Sequence, residues 1–278
     1  MNIAEWLIDH EAQARLFAFL VSFALLMLVQ RLWPRRGVSG GWRRSATNIA
    51  LVVVDTAVLR LAFPLLAFDL SIRLAEREVG LLQALPELPA IVLGVLILDV
   101  AIYWQHRLNH MIPLLWRLHR VHHADTSIDV TTGVRFHPLE IAVSMAIKLG
   151  IIAVFGIAPL AVLIFEIMLS VGSLFTHTNV YLPATFERVL RWVLVTPEMH
   201  RVHHSWYPDE TNSNFSFHLS VWDHVFRSYR DQPRDGHTDM TIGLSDFRSD
   251  REQTFLSLLL NPFRTPTPAS SADAAVED

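Results

Sequence analysis

The chain has 278 residues, which is enough for one large domain or two small ones. Its residues are 51% hydrophobic and only 18% charged, whereas about 25% of the residues of an average soluble domain are charged. This balance indicates a membrane protein and argues against a disordered chain. The formal net charge of −4 provides no general basic surface, so no nucleic-acid partner is expected.

Histidine is unusually frequent, with 14 residues, and cysteine is absent. Without cysteine the chain cannot form a disulfide, a thiolate zinc site, an iron–sulfur cluster or a cysteine-ligated haem. Any bound metal must therefore be held by nitrogen or oxygen ligands.

Hydrophobic runs predict the membrane-spanning helices, because a bilayer core needs about 20 apolar residues in a helix. Single spans are predicted at residues 12–30, 49–68 and 88–104. A cleaved signal peptide is the alternative for the first run. The positive charges of a signal peptide precede its apolar residues, whereas in this sequence they follow the apolar run. The run 139–175 is too long for one span, and Gly156 and Pro159 interrupt it. We therefore expect a helical hairpin there.

Three other segments have distinctive compositions. The second span contains Asp55 and Arg60, which are expected to face protein or each other because charges are costly in lipid. Residues 69–87 mix leucine with charged residues at helical spacing, and we expect them to lie in the membrane interface. Residues 264–278 are acidic and rich in proline, serine and alanine, so a disordered tail is predicted.

Loop charges predict the orientation. Residues 31–47 contain five arginines, and the segment before the first span contains no Arg or Lys. The positive-inside rule therefore places the N-terminus outside and loop 31–47 in the cytoplasm. Counting the spans then places residues 105–138 and 176–278 in the cytoplasm as well, so all the clustered histidines are expected on one side of the membrane.

Three short clusters of histidines, called histidine boxes, indicate the chemistry of the protein. They run from His106 to His110, from His119 to His123 and from His200 to His204, and the last two share the pattern His-Arg-Val-His-His. Histidines three or four residues apart lie on one face of a helix, and imidazole is a good ligand for zinc, copper, iron and nickel. Eight clustered imidazoles would repel each other when protonated, whereas a metal requires them neutral. The boxes therefore predict a metal site.

Eight histidines exceed the needs of one ion, so two metals are predicted, each with four or five ligands. His137 precedes the predicted hairpin and His177 follows it, which would return both to the boxes. Both are candidate ligands, with a helix cap as the alternative for His137. The ten predicted metal ligands are His106, His110, His119, His122, His123, His137, His177, His200, His203 and His204. No ligand role is assigned to His10, His218, His224 or His237.

Carboxylates close to these histidines are candidates to orient them, since a ligating imidazole usually donates its second N–H to a carboxylate or carbonyl. Asp99 shares a helix face with Tyr103, His106 and His110, and Glu140 lies one turn after His137. Glu198 and Asp223 are weaker candidates, with a surface carboxylate as the alternative for each.

An all-imidazole, two-metal site in a membrane protein suits redox iron better than hydrolytic zinc. The motifs HExxH, GxSxG and GxxxxGK[ST] are absent from the sequence, so a zinc protease, an α/β-hydrolase and a P-loop protein are not indicated. A zinc-dependent membrane hydrolase and a non-enzymatic metal-binding or transport protein remain alternatives.

With these histidine motifs the chain resembles a known family, the fatty acid hydroxylase/sterol desaturase superfamily of membrane di-iron enzymes. The resemblance runs from Asp99 to Tyr229 and rests on several motifs in order. These motifs are Tyr103–Arg107, Leu115–His123, Phe136–Glu140, His177–Asn179, Thr196–Ser205 and Ser220–Asp223.

The resemblance implies two iron ions that activate O₂ and hydroxylate or desaturate a lipid C–H bond. It makes Asn214 a further site candidate, while Ser216 and Arg227 stand where the family usually has glycine. No haem-binding His-Pro-Gly-Gly segment is present, so the resemblance implies a separate electron donor such as a ferredoxin or a cytochrome. Sterol or hopanoid-like rings, acyl chains, ether lipids, carotenoids and aminolipid head groups all remain possible substrates.

The predicted fold is all-α: a polytopic membrane helical bundle of four or five spans, including the hairpin, with a cytoplasmic helical cap that carries the histidine boxes. We expect an N-terminal transmembrane region (1–87), a catalytic domain (88–263) and the tail (264–278). The expected location is a bacterial inner membrane.

Overall fold

A computed structural model describes residues 3–265, which form helices and loops with only isolated β-bridges and no β-strand among them. The first eight helices are α1 (Ile3–Asp9), α2 (Glu11–Leu32), α3 (Gly41–Ala62), α4 (Ala67–Ala75), α5 (Glu87–Met111), α6 (Pro113–His123), α7 (Pro138–Phe155) and α8 (Pro159–His177). Six short helices follow: α9 (Ala184–Leu190), α10 (Pro197–His203), α11 (Pro208–Thr211), α12 (Val221–Val225), α13 (Gly236–Asp239) and α14 (Phe255–Leu260). Two 3₁₀ turns cover Val130–Val134 and Asn261–Phe263.

Within residues 3–265, five helical segments are long and apolar enough to cross a membrane: α2, α3 with α4, α5, α7 and α8. The prediction of an all-α polytopic bundle is therefore confirmed. The second span differs in its bounds, because α3 begins at Gly41 and ends at Ala62, just before Pro64. α5 continues past the predicted end at residue 104 to Met111. The predicted tail lies outside the described residues from residue 266 onward.

The hairpin of α7 and α8 turns at the predicted break. Gly156 ends α7 in the left-handed region with φ 61°, and Pro159 begins α8. A Cβ on Gly156 would lie 2.3 Å from the carbonyl oxygen of Val79. The chain after α4 therefore packs directly on this turn, where the N–H of Leu82 donates to the carbonyl of Phe155 at 2.8 Å.

The contacts of α2 and α8 show that the two helices run in the same direction. Arg15, in the first half of α2, lies 2.9 Å from Glu166, in the first half of α8. Gln30, near the end of α2, accepts through Oε1 the backbone N–H of Asn179, just after α8, at 3.3 Å. The ends of α5 and α8 and the beginnings of α3 and α7 consequently meet at one end of the bundle. All three histidine boxes lie at this end, and its cytoplasmic orientation stays a prediction from the loop arginines.

A buried ion-pair network ties the beginning of α3 to the segment that follows the second box. Arg44 Nε lies 2.5 Å from Asp125 Oδ1, and Arg44 Nη1 lies 2.6 Å from Asp129 Oδ2. Asn48 donates to Asp125 and to Thr131 from the next turn of α3. Since charges buried without partners are very costly, this network holds α3 in a fixed position beside the histidines.

Replacing Arg44 by Met should destabilise the protein strongly, because it leaves Asp125 and Asp129 buried with too little positive charge nearby. We expect the free energy of unfolding in detergent micelles to fall by about 3–5 kcal/mol, as measured by chemical denaturation. Arg43→Met is the matched control, since Arg43 is exposed, and it should change the value little. Equal effects of the two substitutions would contradict the role given to this network.

Candidate metal centre

The structure brings nine of the ten predicted histidines into two adjacent groups of converging ring nitrogens. Within each group the ligand atoms lie within 4.8 Å of one another. The five-histidine group consists of His106, His110, His119, His123 and His203. The four-histidine group consists of His122, His177, His200 and His204.

Helical spacing explains how so few elements supply so many ligands. The last turns of α5 place His106 and His110 on one face, and α6 carries the second box on its buried side. α10 and its C-cap residue His204 carry the third box, and His177 ends α8. Because the second and third boxes each contain adjacent histidines, both boxes contribute to both groups.

Distances in the four-histidine group fit a shared ion. His177 Nε2 lies 3.1 Å from His122 Nε2, 3.2 Å from His204 Nε2 and 3.0 Å from His200 Nε2. Two nitrogen ligands at about 2.1 Å from one metal ion, on neighbouring coordination positions, lie roughly 3.0–3.4 Å apart. The donor set is imidazole alone, which suits iron as well as zinc.

Burial keeps these imidazoles in the neutral form that metal binding requires. It lowers the pKa of His122, His123, His200 and His204 well below the usual value, and neighbouring histidines lower it further. Burial likewise lowers the pKa of His203 to about 3. Neutral rings present a lone pair to a metal, so the site is prepared for an ion at neutral pH.

Hydrogen bonds from the Nδ1 atoms fix the direction of several rings. Glu140 Oε1 accepts from His119 Nδ1 at 2.6 Å, as its place near the boxes suggests. Backbone carbonyls accept in other cases, with His122 bonded to Arg135 at 3.0 Å and His177 to Ser173 at 2.6 Å. Each of these bonds leaves Nε2 facing its group, which is the arrangement found in metal-binding histidines.

The loop 213–216 orients two more ligands through its backbone. The carbonyl of Ser213 accepts from His203 Nδ1, and that of Phe215 accepts from His106 Nδ1, both at 2.7 Å. Each ring then has a buried Nε2 without a hydrogen-bond partner in the described part of the chain, which fits a metal ligand. Asn214 faces the backbone rather than the histidines, since its amide donates to the carbonyl of Met199 at 3.0 Å. It therefore acts on the site by holding this loop.

Two departures from the family pattern have different structural consequences. Arg227 has φ 57°, in the left-handed region that glycine adopts without strain. The turn is thus kept with an arginine in place of glycine. Ser216 has no such φ, and its backbone N–H donates to Asp223 Oδ2 at 3.1 Å. Asp223 also accepts from Phe215 N at 2.8 Å, so this carboxylate is buried support for the loop.

His137 is the one predicted ligand that lies outside both groups. It is the N-cap of α7, where Nδ1 accepts the backbone N–H of Leu139 at 3.1 Å. Its Nε2 lies 3.1 Å from the carbonyl oxygen of Leu259. Both ring nitrogens are therefore occupied by backbone partners, which corresponds to the alternative of a helix cap.

Asp99 orients a histidine, but one without a predicted ligand role. Asp99 Oδ1 lies 2.6 Å from His218 Nδ1, and the Trp222 indole donates to Oδ2 at 2.7 Å. Among the other unassigned histidines, His237 lies 3.3 Å from Glu198. Glu198 is in turn paired with Arg35 at 2.7 Å, so this carboxylate belongs to an ion pair away from the groups.

A cavity of about 660 Å³ opens between the membrane helices and reaches the five-histidine group. His106 and His119 lie in its wall at one end, and Arg15, Lys148 and Glu166 lie in its wall towards the other. Most of the remaining lining is apolar and comes from α2, α3, α5, α7 and α8. The cavity thus combines an apolar interior with direct access to two candidate metal ligands.

Sequence reasoning missed several residues that support the site. Asn109, between two histidines of the first box, donates to Glu140 Oε1 at 3.3 Å. Arg135 is fully buried and donates to the carbonyl of Val121 at 2.9 Å. The position of Asn109, close to the Asp99–His106 face of α5, could have indicated its role from the sequence. The partners of Arg135 are distant in sequence, so no sequence pattern indicates them.

The chain matches one protein-family model and several curated proteins. Residues 91–228 match the family model described as fatty acid hydroxylase. An ornithine lipid hydroxylase, OlsE, of Rhizobium tropici is 33% identical over 175 residues, covering 62% of this chain and 50% of that protein. Alkylglycerol monooxygenases of Xenopus tropicalis and Homo sapiens are each 28% identical, over 47% of this chain and 28% of their own length. No solved structure matches the chain.

The chain spans half or less of the length of these curated relatives. The matched region nevertheless contains all three histidine boxes together with His177 and Asn214. The chain belongs to the fatty acid hydroxylase/sterol desaturase superfamily, as its histidine motifs predict.

Proposed function

We propose that this protein is a membrane-bound di-iron oxygenase that hydroxylates a lipid C–H bond with O₂ and external electrons. The observation that carries the proposal is the cavity between the membrane helices, which ends at His106 and His119 of the five-histidine group. A lipid lying in this cavity has a carbon directly beside the candidate metal ligands.

The two groups of histidines are the proposed iron sites. His106, His110, His119, His123 and His203 would hold one ion, and His122, His177, His200 and His204 the other. Bound iron would supply the activation of O₂. Glu140, Asn109 and the loop 213–216 would keep the ligand rings in place, and Phe136 and Phe217 in the cavity wall would help to exclude water from the reacting carbon.

A lateral opening supports entry of the substrate from the bilayer. Leu16 of α2 and Val53 of α3 both line the cavity, and they are 58% and 63% exposed. α2 packs mainly on α8, and α3 packs mainly on α7, so the gap between α2 and α3 is not closed by helix packing. Exposed apolar residues at this gap suit contact with lipid chains.

Hydroxylation is favoured over desaturation because the named relatives are a lipid hydroxylase and monooxygenases. The proposal includes a separate electron donor of ferredoxin or cytochrome type. It places the histidine end of the bundle in the cytoplasm and the protein in a bacterial inner membrane, following the loop charges.

Iron binding is the first test. The purified full chain, reconstituted anaerobically with Fe²⁺, should hold two irons by elemental analysis. His122→Ala and His203→Ala each remove a ligand from a different group, so each should lower the retained iron from two towards one under mild chelation. Mössbauer spectra should then lose the signal of a coupled pair.

His137→Ala is the matched control, because both ring nitrogens of His137 hydrogen-bond to backbone groups and neither faces the two histidine groups. It should keep both irons. Equal loss of iron in His137→Ala and His122→Ala, or firm retention of zinc with no iron, would contradict the assignment and favour a zinc enzyme.

Oxygen incorporation is the second test. Cells that express the wild type under ¹⁸O₂ should contain a lipid that is heavier by one ¹⁸O atom, and His122→Ala should abolish this product. His10→Ala should not, because His10 lies on α2's N-terminal side, far along the bundle from the boxes. Lipidomic mass spectrometry makes the measurement.

A product lighter by two hydrogens, without added oxygen, would show desaturation. Lipid turnover that needs neither O₂ nor reductant would instead indicate a membrane hydrolase. An unchanged lipid profile during iron-replete aerobic growth would count against both oxidative reactions.

A further inference from the structure

The two histidine groups differ in their access to the surface. A second, smaller cavity of about 300 Å³ lies at the histidine end of the bundle, and His110 of the five-histidine group lines it. His110 is half-buried, whereas the other eight histidines of the two groups are buried. The histidines of the four-histidine group are at most 1% exposed, and they line neither of the two cavities. The five-histidine group therefore lies in the wall of both cavities and the four-histidine group in the wall of neither.

The small cavity opens outside the membrane-spanning helices. Apart from His110, its lining comes from α6 and from the segments 206–212 and 244–247. Pro208, Asn212 and Ser245 in this lining are exposed, so the cavity has an opening at the surface of the histidine end. The larger cavity opens instead between α2 and α3, where exposed apolar residues suit contact with lipid chains. The five-histidine group thus has one approach from the bilayer and another from beyond the ends of the spanning helices.

The small cavity is suited to hold water. A water molecule occupies about 30 Å³ in the liquid, so the cavity has room for several. Its lining contains six polar side chains besides His110: Arg120, Trp206, Thr211, Asn212, Ser245 and Asp246. Trp206 Nε1 is buried without a hydrogen-bond partner in the described part of the chain, and a water molecule can accept this N–H. Arg120 and Asp246 carry opposite charges, so the lining does not repel a cation through its net charge.

A divalent metal ion needs a polar path to its ligands. An ion that leaves water for an apolar environment loses a very large solvation free energy unless other ligands replace the water. An ion entering through the larger cavity would first have to cross lipid. In the small cavity, water and polar side chains can accompany the ion as far as His110, whose imidazole can then replace one of its water ligands.

We propose that the small cavity is an aqueous port through which a hydrated divalent metal ion enters and leaves the five-histidine group, with His110 as its first protein ligand. The inference rests on the proposed two-metal site and gives its two ions different properties. The ion of the five-histidine group exchanges with the solution. The ion of the four-histidine group is enclosed, and its release requires local opening of the fold around it.

Metal release can be followed without lipid, O₂ or enzymatic activity. The purified full chain in detergent is loaded anaerobically with Fe²⁺, freed of excess metal and mixed with ferrozine, a charged, water-soluble chelator whose iron complex is coloured. The wild type should release its iron in two phases, with one ion leaving about tenfold or more faster than the other. His122→Ala removes a ligand of the four-histidine group and should keep only the fast phase, whereas His203→Ala should keep only the slow phase.

Ser245→Trp should slow the fast phase about tenfold and leave the slow phase and the iron content unchanged, because the indole fills the mouth of the small cavity. Ser39→Trp is the matched control, since Ser39 is exposed at the same end of the bundle and lines neither cavity. It should alter neither phase. Val53→Trp, which narrows the membrane-side opening, should also leave the fast phase unchanged. If Ser245→Trp does not fold, Trp206→Ala widens the port and should speed the fast phase several-fold.

Release of both ions at one rate would overturn the inference, as would a fast phase that Val53→Trp slows and Ser245→Trp leaves unchanged. If the chain retains zinc and no iron, the same measurement with Zn²⁺ and a water-soluble zinc indicator should show the same two phases, and a single phase would again overturn the inference. Two-phase release without lipid oxidation would refute the proposed function alone. Lipid oxidation together with single-phase release would refute only this inference.

Discussion

Nine imidazole rings share one small volume; eight of these histidines are buried and His110 is half-buried. The rings fit together there only while they are neutral. Burial lowers the pKa of His122, His123, His200 and His204, and repulsion from neighbouring histidines lowers it further. Neutral rings still need an acceptor for each N–H and a partner for each lone pair. Backbone carbonyls and Glu140 supply the acceptors, and a metal is the partner that satisfies the converging lone pairs. Much of the surrounding structure serves this requirement.

The helices at the histidine end are held by polar contacts instead of apolar packing alone. Arg44 joins α3 to the loop after the second box, and Asp223 and Asn214 hold the loop that orients His106 and His203. The main apolar core lies deeper in the bundle, among α4, α5, α7 and α8. The molecule thus combines a lipid-compatible body with a rigid polar end, and the cavity connects the two.

Sequence periodicity predicted the helical spans and the pairing of histidines well, because both depend on local spacing. The hairpin turn followed from Gly156 and Pro159, whose backbone preferences act locally. His177 was correctly expected to reach the boxes. His137 had the same apparent position, yet its ring nitrogens bind the backbone at the start of α7. Asp99 was expected to support a ligand, and it pairs with His218 across 119 residues of sequence. Such partners depend on how distant segments meet, which periodicity does not encode.

The sequence by itself determined the membrane class, the all-α architecture, the absence of thiolate chemistry and the family, since these follow from composition, hydrophobic length and motif. Only the tertiary structure decided how nine histidines divide into groups of five and four, because adjacent histidines in one box point to different centres. It also decided that Asp55 lines the cavity, with no hydrogen-bond partner for its Oδ1 among the described residues. A charge in an apolar span predicts some role, but whether it meets an arginine, another helix or a lipid depends on the packing of helices that are far apart in sequence.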